Sequence, residues 1–387
     1  MDPKDYVSKR AGELIRVEGR YWAFLPAGLP PALDWSPAII TAMGEAERAL
    51  GRMDSLALTL PAPRILVRPF VRREAVLSSR IEGTRASLSD VYTYEAARLS
   101  FLAPSSDAGE VHDYVKALDH ALGRLTTARV SLGLLQEVHA TLMAGSPESK
   151  ASPGKFRSRQ NWIGYPGSTL QTASYIPPPV ADLHEGLSSL ERFITGPSDL
   201  PPLIRSALIH YQFEALHPFM DGNGRIGRLL VILLLMEWGL LTEPLLYLSA
   251  FFEARRLEYY ERLLRVSQRG EWESWIAFFL WGVKSQSEDA IGRIEGLLRL
   301  QKTYQEKLKG ERAFSRLQMA LEVLFERPVV TIRQLQKALG VPYRTAQRYV
   351  EKLESFGILR EVTGRARNKI YQADEVLSAI DEPLDQD

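Results

Sequence analysis

The eight consecutive apolar residues from Leu229 to Met236, entered through a turn carrying Gly222 and Gly224, constrain this chain more than anything else in it. A helix that is apolar on every face belongs inside a protein core, and eight residues fall far short of the roughly 20 a membrane span needs. The segment ahead of it, His217 to Gly224, is no helix interior, because Pro218 opens it and Gly222 and Gly224 break it. Farther upstream, Leu203, Ile204, Ala207, Leu208, Tyr211 and Ala215 recur at helical spacing. The expected unit is helix, glycine loop, buried helix. Gly222-Asn-Gly224-Arg-Ile-Gly227 also satisfies G-x-G-x-x-G, but a dinucleotide fold needs a strand before that pattern, and here a helix stands there.

A glycine turn at the N-terminus of a buried helix offers backbone N–H groups and the positive end of the helix dipole, which together make a phosphate site. Arg225 and Arg228, three apart in the first turn, add charge-assisted donors on one side. Gly222, Asn223 and Gly224 let the chain approach a phosphate closely. Asp221 is a hard oxygen ligand, suited to Mg²⁺ bridging nucleotide phosphates. His217, with an ordinary pKa of about 6.5, sits just outside this cradle, where a base would take a proton from a hydroxyl. These types sum to transfer of a phosphorus group to an alcohol by positioning and electrostatics. Which group moves is left open by the residues themselves. A lone histidine is more often a satisfied core residue than a base; the full set of neighbours reverses that weighing for His217. His210 lies seven residues earlier, but no third ligand stands at metal spacing, so zinc is not expected.

The 387 residues suggest two or three domains, and a net charge of +1 says nothing about partners overall. The absence of cysteine excludes disulfides, thiolate metals and cysteine nucleophiles. Asp2, Lys4 and Asp5 open a segment with no apolar core before a cleavage site, so the expected location is cytoplasmic and no membrane partner is expected. Residues 1–35 read as extended and rich in Pro and aromatics. Helices are expected over 36–58, 68–83, 87–101, 107–126, 130–143, 180–195, 202–216, 225–238, 251–268, 271–285 and 286–308. Prolines and glycines forbid long helices in 144–179, where Trp162 to Gly164 and Ala173 to Ile176 are placed as two short strands joined near Pro166 and Gly167.

The last portion changes character. Helices over Leu317–Phe325, Thr331–Leu339 and Pro342–Phe356, then strands over Ile358–Val362 and Lys369–Tyr371, follow the winged-helix order. Residues 331–371 hold nine Lys/Arg against three acids. With Ala346, Tyr349, Val350 and Leu353 turned inward, Tyr343, Arg344, Gln347 and Arg348 are left for a major groove, and Arg365 and Arg367 in the wing for backbone phosphates. A protein–protein or dimerisation module of the same shape stands as the other reading, and homodimerisation is left open with it. The fold class expected is mainly α, with a small β-hairpin and a C-terminal winged helix-turn-helix. Boundaries are drawn at 1–125, 126–309 and 311–375.

The run His217-Pro-Phe-Met-Asp-Gly-Asn-Gly-Arg-Ile-Gly-Arg228 resembles the signature of the Fic family, HPFx[D/E]GNGRxxR, at every fixed position. The resemblance extends over most of the chain and implies transfer of AMP from ATP to a Tyr, Ser or Thr hydroxyl of a target protein, with pyrophosphate leaving. It makes His217 the general base, Asp221 the Mg²⁺ ligand and Gly222 to Gly224 the α/β-phosphate cradle. Arg225, Ile226, Gly227 and Arg228 complete the nucleotide site, and Tyr259 and Tyr260 resemble the family's base region. Relatives often carry Asn where this chain has Ser267, which leaves strict ATP preference in doubt. Related Doc toxins, which phosphorylate, carry a lysine where this chain has Gly224, which favours nucleotidylation. Ser78 to Gly83 meets the family's inhibitory pattern [S/T]xxxE[G/N], implying that Glu82, four residues from Ser78, pairs with Arg228 and denies the γ-phosphate its partner. The region around Asn161, Trp162, Ile163, Tyr175 and Ile176 resembles the flap that aligns a target by strand addition. Two other functions stand beside this one: a DNA-binding regulator whose Fic core senses nucleotide, and an enzyme that removes AMP using Glu82 to orient water.

Overall fold

The structure is a computed structural model and describes residues 1–59, 64–97, 106–145, 152–165 and 167–382. Its contacts divide into two units, each discontinuous in sequence. The first takes Met1–Arg52, Lys116–Thr242 and Leu248–Gln286; the second takes Met53–Val115, Glu243–Tyr247 and Ser287–Asp387. Both are mostly helical, and no described helix is long and apolar enough to cross a membrane.

In the first unit the centre is the expected pair, α7 (Pro202–Leu216) and α8 (Asn223–Glu237), with Leu229 to Leu235 all buried. The two helices cross closely at Gly227, where an added Cβ would crowd the Glu214 carboxylate and stand 3.2 Å from the Phe213 ring. His210 locks the crossing. Its Nδ1 donates to Gly227 O (3.0 Å), and its Nε2 accepts from the Tyr259 hydroxyl (2.9 Å). Full burial pushes its pKa down to about 3, so it stays neutral. Around this pair lie α5 (Leu132–Leu142), α6 (Val180–Thr195), α9 (Ser249–Ala254), α10 (Arg256–Arg269) and the first part of α11 (Trp272–Lys307). Helix α6 buries Leu183, Leu187, Leu190 and Ile194, one stripe at helical spacing. Arg205 reaches the carbonyls of Ile194 (3.0 Å) and Gly196 (2.7 Å) at its end, where the dipole favours a cation.

Residues 1–35 hold more than the extended chain expected of them. Strands β1 (Gly12–Val17) and β2 (Tyr21–Pro26) pair antiparallel, Gly12 opposite Pro26 and Val17 opposite Tyr21. The turn places Glu18 and Gly19 in the left-handed region, at φ 44° and 71°. The flap is reduced to a single bridge between Ile163 and Tyr175 rather than two strands, and Pro166 lies outside the described residues. Residues 271–308, expected as two helices, form the one unbroken helix α11, because Ser285, Gln286 and Ser287 carry no breaker between them.

The second unit combines α2 (Arg64–Ile81), α3 (Leu88–Ala97), the later part of α11 and the winged helix. Helix α2 starts earlier than expected and runs through Pro69, giving up one i→i−4 bond. It ends in a paired-bond cap: Gly83 N–H bonds Arg80 O (3.0 Å), Thr84 N–H bonds Ser79 O (3.2 Å), and Gly83 has φ 106°. Helix α3 starts from a reciprocal cap between Ser87 and Asp90, and residues 98–101 of the helix expected there lie outside the described residues.

The winged helix follows the expected order: α12 (Phe314–Glu326), α13 (Ile332–Leu339), α14 (Tyr343–Ser355), then β4 (Arg360–Glu361) and β5 (Ile370–Gln372). A strand that the sequence did not announce, β3 (Val329–Thr331), completes a three-stranded antiparallel sheet in the order β3-β5-β4. Thr331 closes it into α13 by a capping box with Gln334, and α15 (Asp374–Asp381) ends the described chain.

Candidate active site

Between α7 and α8 the chain makes a loop whose carbonyls are nearly all tied down. His217 caps α7 in the left-handed conformation, φ 47° and ψ 59°, a conformation uncommon for a residue with a side chain. Its carbonyl accepts from Arg157 Nε (3.0 Å) and Asn161 Nδ2 (3.3 Å). The Pro218 carbonyl accepts from the Arg157 N–H (2.8 Å). Phe219 O accepts from Asn161 Nδ2 and Asn223 Nδ2, each at 2.8 Å, and Phe219 N–H donates to Asn223 Oδ1 (2.8 Å). Asp221 O accepts from His139 Nε2 (3.0 Å). With those oxygens held, the first turn of α8 presents Asn223, Gly224 and Arg225, whose N–H groups have no acceptor within the helix.

Two residues of this clamp, His139 and Arg157, carried no mark in the sequence. His139 lies on the buried side of α5 with Leu135 and Leu142, stacked on Phe219 with ring centroids 3.8 Å apart and planes 6° apart. The Gly154 N–H donates to its Nδ1 (2.9 Å), which makes Nε2 the protonated nitrogen facing Asp221 O. Burial pushes its pKa down to about 4, with the Asp221 carbonyl acting the other way. Arg157, 2% exposed, spends its donors on loop carbonyls, including Pro178 O at 2.5 Å, and burial lowers its pKa to about 10. Asn223 itself is a loop clamp, both ends of its amide given to Phe219. A polar residue on an otherwise apolar helix face was the one available signal, and it applies only to His139.

His217 is half-buried, with Nδ1 3.4 Å from Glu214 O. Since a carbonyl only accepts, that contact assigns the proton to Nδ1 and leaves Nε2 as the basic nitrogen. Asp221 is exposed; its Oδ1 accepts from Gly222 N–H (2.6 Å) and stands 3.7 Å from Arg225. Gly222 needs its φ of 77°, and a Cβ there would meet Met143 Sδ at 3.1 Å. Arg225 and Arg228 are both buried, at 7% and 3% exposure, and Ile226 and Gly227 serve the packing of α8. Among the described residues no group of three or more His, Asp or Glu is placed to hold a metal alone. Asp221 offers one exposed carboxylate, a hard oxygen ligand, beside the start of α8.

The other residues singled out in the sequence fall in different places. Tyr259 is buried and stacked on Phe252 (4.4 Å), whereas Tyr260 is at the surface, 40% exposed. Ser267 is inside, its hydroxyl 2.8 Å from that of Tyr211. In the flap, Asn161, Tyr175 and Ile176 are buried; the Tyr175 hydroxyl donates to Ala215 O (2.9 Å). Trp162, Ile163 and the unanticipated Tyr165 stand exposed beside them. Ser78 is fully buried within α2, while Glu82 is exposed one residue past its end. Tyr343, Arg344, Arg348, Arg365 and Arg367 are exposed; Gln347 is half-buried and bonds Glu351 (2.9 Å).

Comparison with known proteins agrees with this layout. Residues 40–123 match the Fic/DOC family N-terminal region, 129–235 the Fic/DOC family domain, and 317–372 an HTH DNA binding domain. Curated relatives include the protein adenylyltransferase Fic of Drosophila melanogaster, 25% identical over 205 residues, which are 51% of this chain and 37% of the relative. The protein of the same name from Nematostella vectensis is 28% identical over 170 residues, 42% of this chain and 36% of the relative. The chain thus spans little more than a third of the length of these relatives. Among solved structures, a Fic family protein from Desulfovibrio desulfuricans G20 aligns with a TM-score of 0.58 at 20% identity, over 89% of this chain and 98% of that one. Fic-1 from C. elegans aligns at 0.51 and 21% identity, over 67% of this chain and 74% of that one. At these identities the likeness speaks for the fold.

Proposed function

Taking as premise that the chain belongs to the Fic/DOC family, with an HTH domain following the Fic domain, we propose that it is a protein adenylyltransferase. It moves AMP from ATP to a hydroxyl of a target protein and of itself. The observation that carries this reading is the clamped loop: its carbonyls are bonded away, the first N–H groups of α8 have no acceptor within the helix, and His217 stands at its edge. Phosphate oxygens fit that cradle and carbonyl oxygens would repel them. His217 Nε2 takes the proton of the attacking hydroxyl, the new bond forms to the α-phosphorus, and the bond to the β-phosphate oxygen breaks, releasing pyrophosphate. Asp221 would hold Mg²⁺, which when bound draws off phosphate charge.

Glu82 is the auto-inhibitory residue in this reading. Its position supports that role: as the first residue past the end of α2 it puts a negative charge at the negative end of a helix dipole, which helix stability disfavours. The open basic face of the winged helix supports DNA as a second partner.

Two measurements test the reading. His217→Ala lowers incorporation of label from α-labelled ATP by on the order of 10²–10⁴, while ATP binding persists. Full self-modification by that variant would remove His217 from the chemistry. DNA affinity of the whole chain falls steeply with salt, and Arg344→Ala with Arg348→Ala flattens the slope by about 0.9 for each phosphate no longer neutralised. No binding at low salt leaves the winged helix as a protein-interaction module.

A further inference from the structure

Helix α2, which is followed directly by Glu82, is held by the winged helix within one compact unit. Helices α12 and α15 pack on α2, and strand β3 and helix α15 pack on α3. Polar ties cross the same seam. Arg68 of α2 pairs with Glu326 at the end of α12. Arg73 of α2 reaches Asp289 (3.2 Å), which holds Arg293 through both oxygens (2.8 and 3.0 Å). Arg293, 2% exposed, donates in turn to Ile380 O and Glu382 O, both at 2.8 Å, at the end of α15. Ser89 of α3 bonds Gln372 of β5 (3.1 Å). A run of bonded side chains thus links α2 to the last helix of the winged fold. None of these elements is the one a nucleic acid would meet: Tyr343, Arg344 and Arg348 of α14 and the wing tip 364–369 remain exposed.

We propose that the winged helix is the regulatory handle of α2: duplex DNA bound on its open face loosens the seam and weakens the inhibitory hold of Glu82. This rests on the auto-inhibition reading of Glu82. DNA acts only if it binds the loosened arrangement better than the clasped one, and by linkage the arrangement that frees α2 then binds DNA more tightly. The seam is suited to such a shift, since its Arg68–Glu326 pair is partly exposed and contributes little by itself.

The test uses the full chain and incorporation of labelled AMP, with folding followed by thermal melting. Glu326→Arg sets two like charges together and raises incorporation about 3- to 10-fold, part of the way to Glu82→Gly. The swap Arg68→Glu with Glu326→Arg returns it to the wild-type rate, and Glu326→Arg adds nothing in a Glu82→Gly background. A mixed-sequence duplex of about 30 base pairs at low salt, its binding followed by anisotropy, raises incorporation by a similar factor in wild type and not in Glu82→Gly. Activation by Glu82→Gly without any response to Glu326→Arg overturns the handle and leaves auto-inhibition standing. Response to Glu326→Arg with none to duplex overturns DNA as the input. Failure of Glu82→Gly to activate overturns auto-inhibition, and the handle with it.

Discussion

Among the helix ends built on positive-φ glycines, two do opposite things. At the start of α8, Gly222 turns the chain and the neighbouring carbonyls are bonded to Arg157, Asn161, His139 and Asn223. At the end of α2, Gly83 turns the chain with two backbone bonds, and the residue delivered there is an exposed carboxylate. The first arrangement gathers positive potential and fixes it with buried polar contacts. The second sets a charge against its own dipole at the surface. Under the proposed function the difference has a reason: a binding site needs its backbone groups accounted for, whereas a regulatory charge works best where its removal leaves the fold intact.

That contrast can be broken by mutation. Asn223→Ala strips Phe219 of its partner for a buried N–H, costing about 1–3 kcal/mol of stability. The displaced loop then lowers AMP incorporation by on the order of 10². A variant with normal melting and normal incorporation would mean that the clamp is ornamental. Glu82→Gly shifts incorporation the other way, up roughly 10- to 150-fold, as about 1.4–3 kcal/mol of inhibition is lifted. Because Glu82 is exposed, its melting temperature barely moves, in contrast to Asn223→Ala. A large loss of stability would recast Glu82 as a structural ion-pair member.

The smallest effect is a pH dependence. His139 has its folded pKa depressed to about 4 by burial, while the unfolded chain titrates near 6.5. Its contribution is therefore complete above about pH 6.5 and is lost as pH falls through about 4, an effect of roughly 3 kcal/mol at most. His210, depressed to about 3, works in the same direction. Unfolding measured from about pH 7 down to about pH 4 shows a steeper loss for wild type than for His139→Gln; equal slopes would detach His139 from the acid sensitivity of the loop.

What could be read in advance follows from how local each feature is. The buried helix, the glycine loop, His217 and the helix-turn-helix are short-range patterns and stood in the sequence. The clamp was hidden because Arg157, Asn161 and His139 come from separate segments, and neither spacing nor period relates them to His217. The hairpin over 12–26 escaped because its turn uses Glu18 and Gly19 instead of Asn-Gly. Strand β3 is three residues long and takes its meaning only from pairing with Ile370 to Gln372. Grouping α2 and α3 with the winged helix is a tertiary outcome that no linear boundary at 125 or 310 could express.

The flap strand bears on how such a protein can diverge. Asn161 and Tyr175 belong by sequence to the segment thought to meet a target, yet their polar atoms hold up the loop and the helix end that carry His217. Trp162, Ile163 and Tyr165, which lie between them in the chain, are exposed, and the Trp162 ring N–H donates to Ser168 O (2.9 Å) away from that loop. In the proposed reading, these three exposed side chains can be exchanged for a new target at little cost to the loop. The buried residues that flank them hold the loop of His217, so under the proposed function recognition can drift while chemistry stays put on the same stretch of chain.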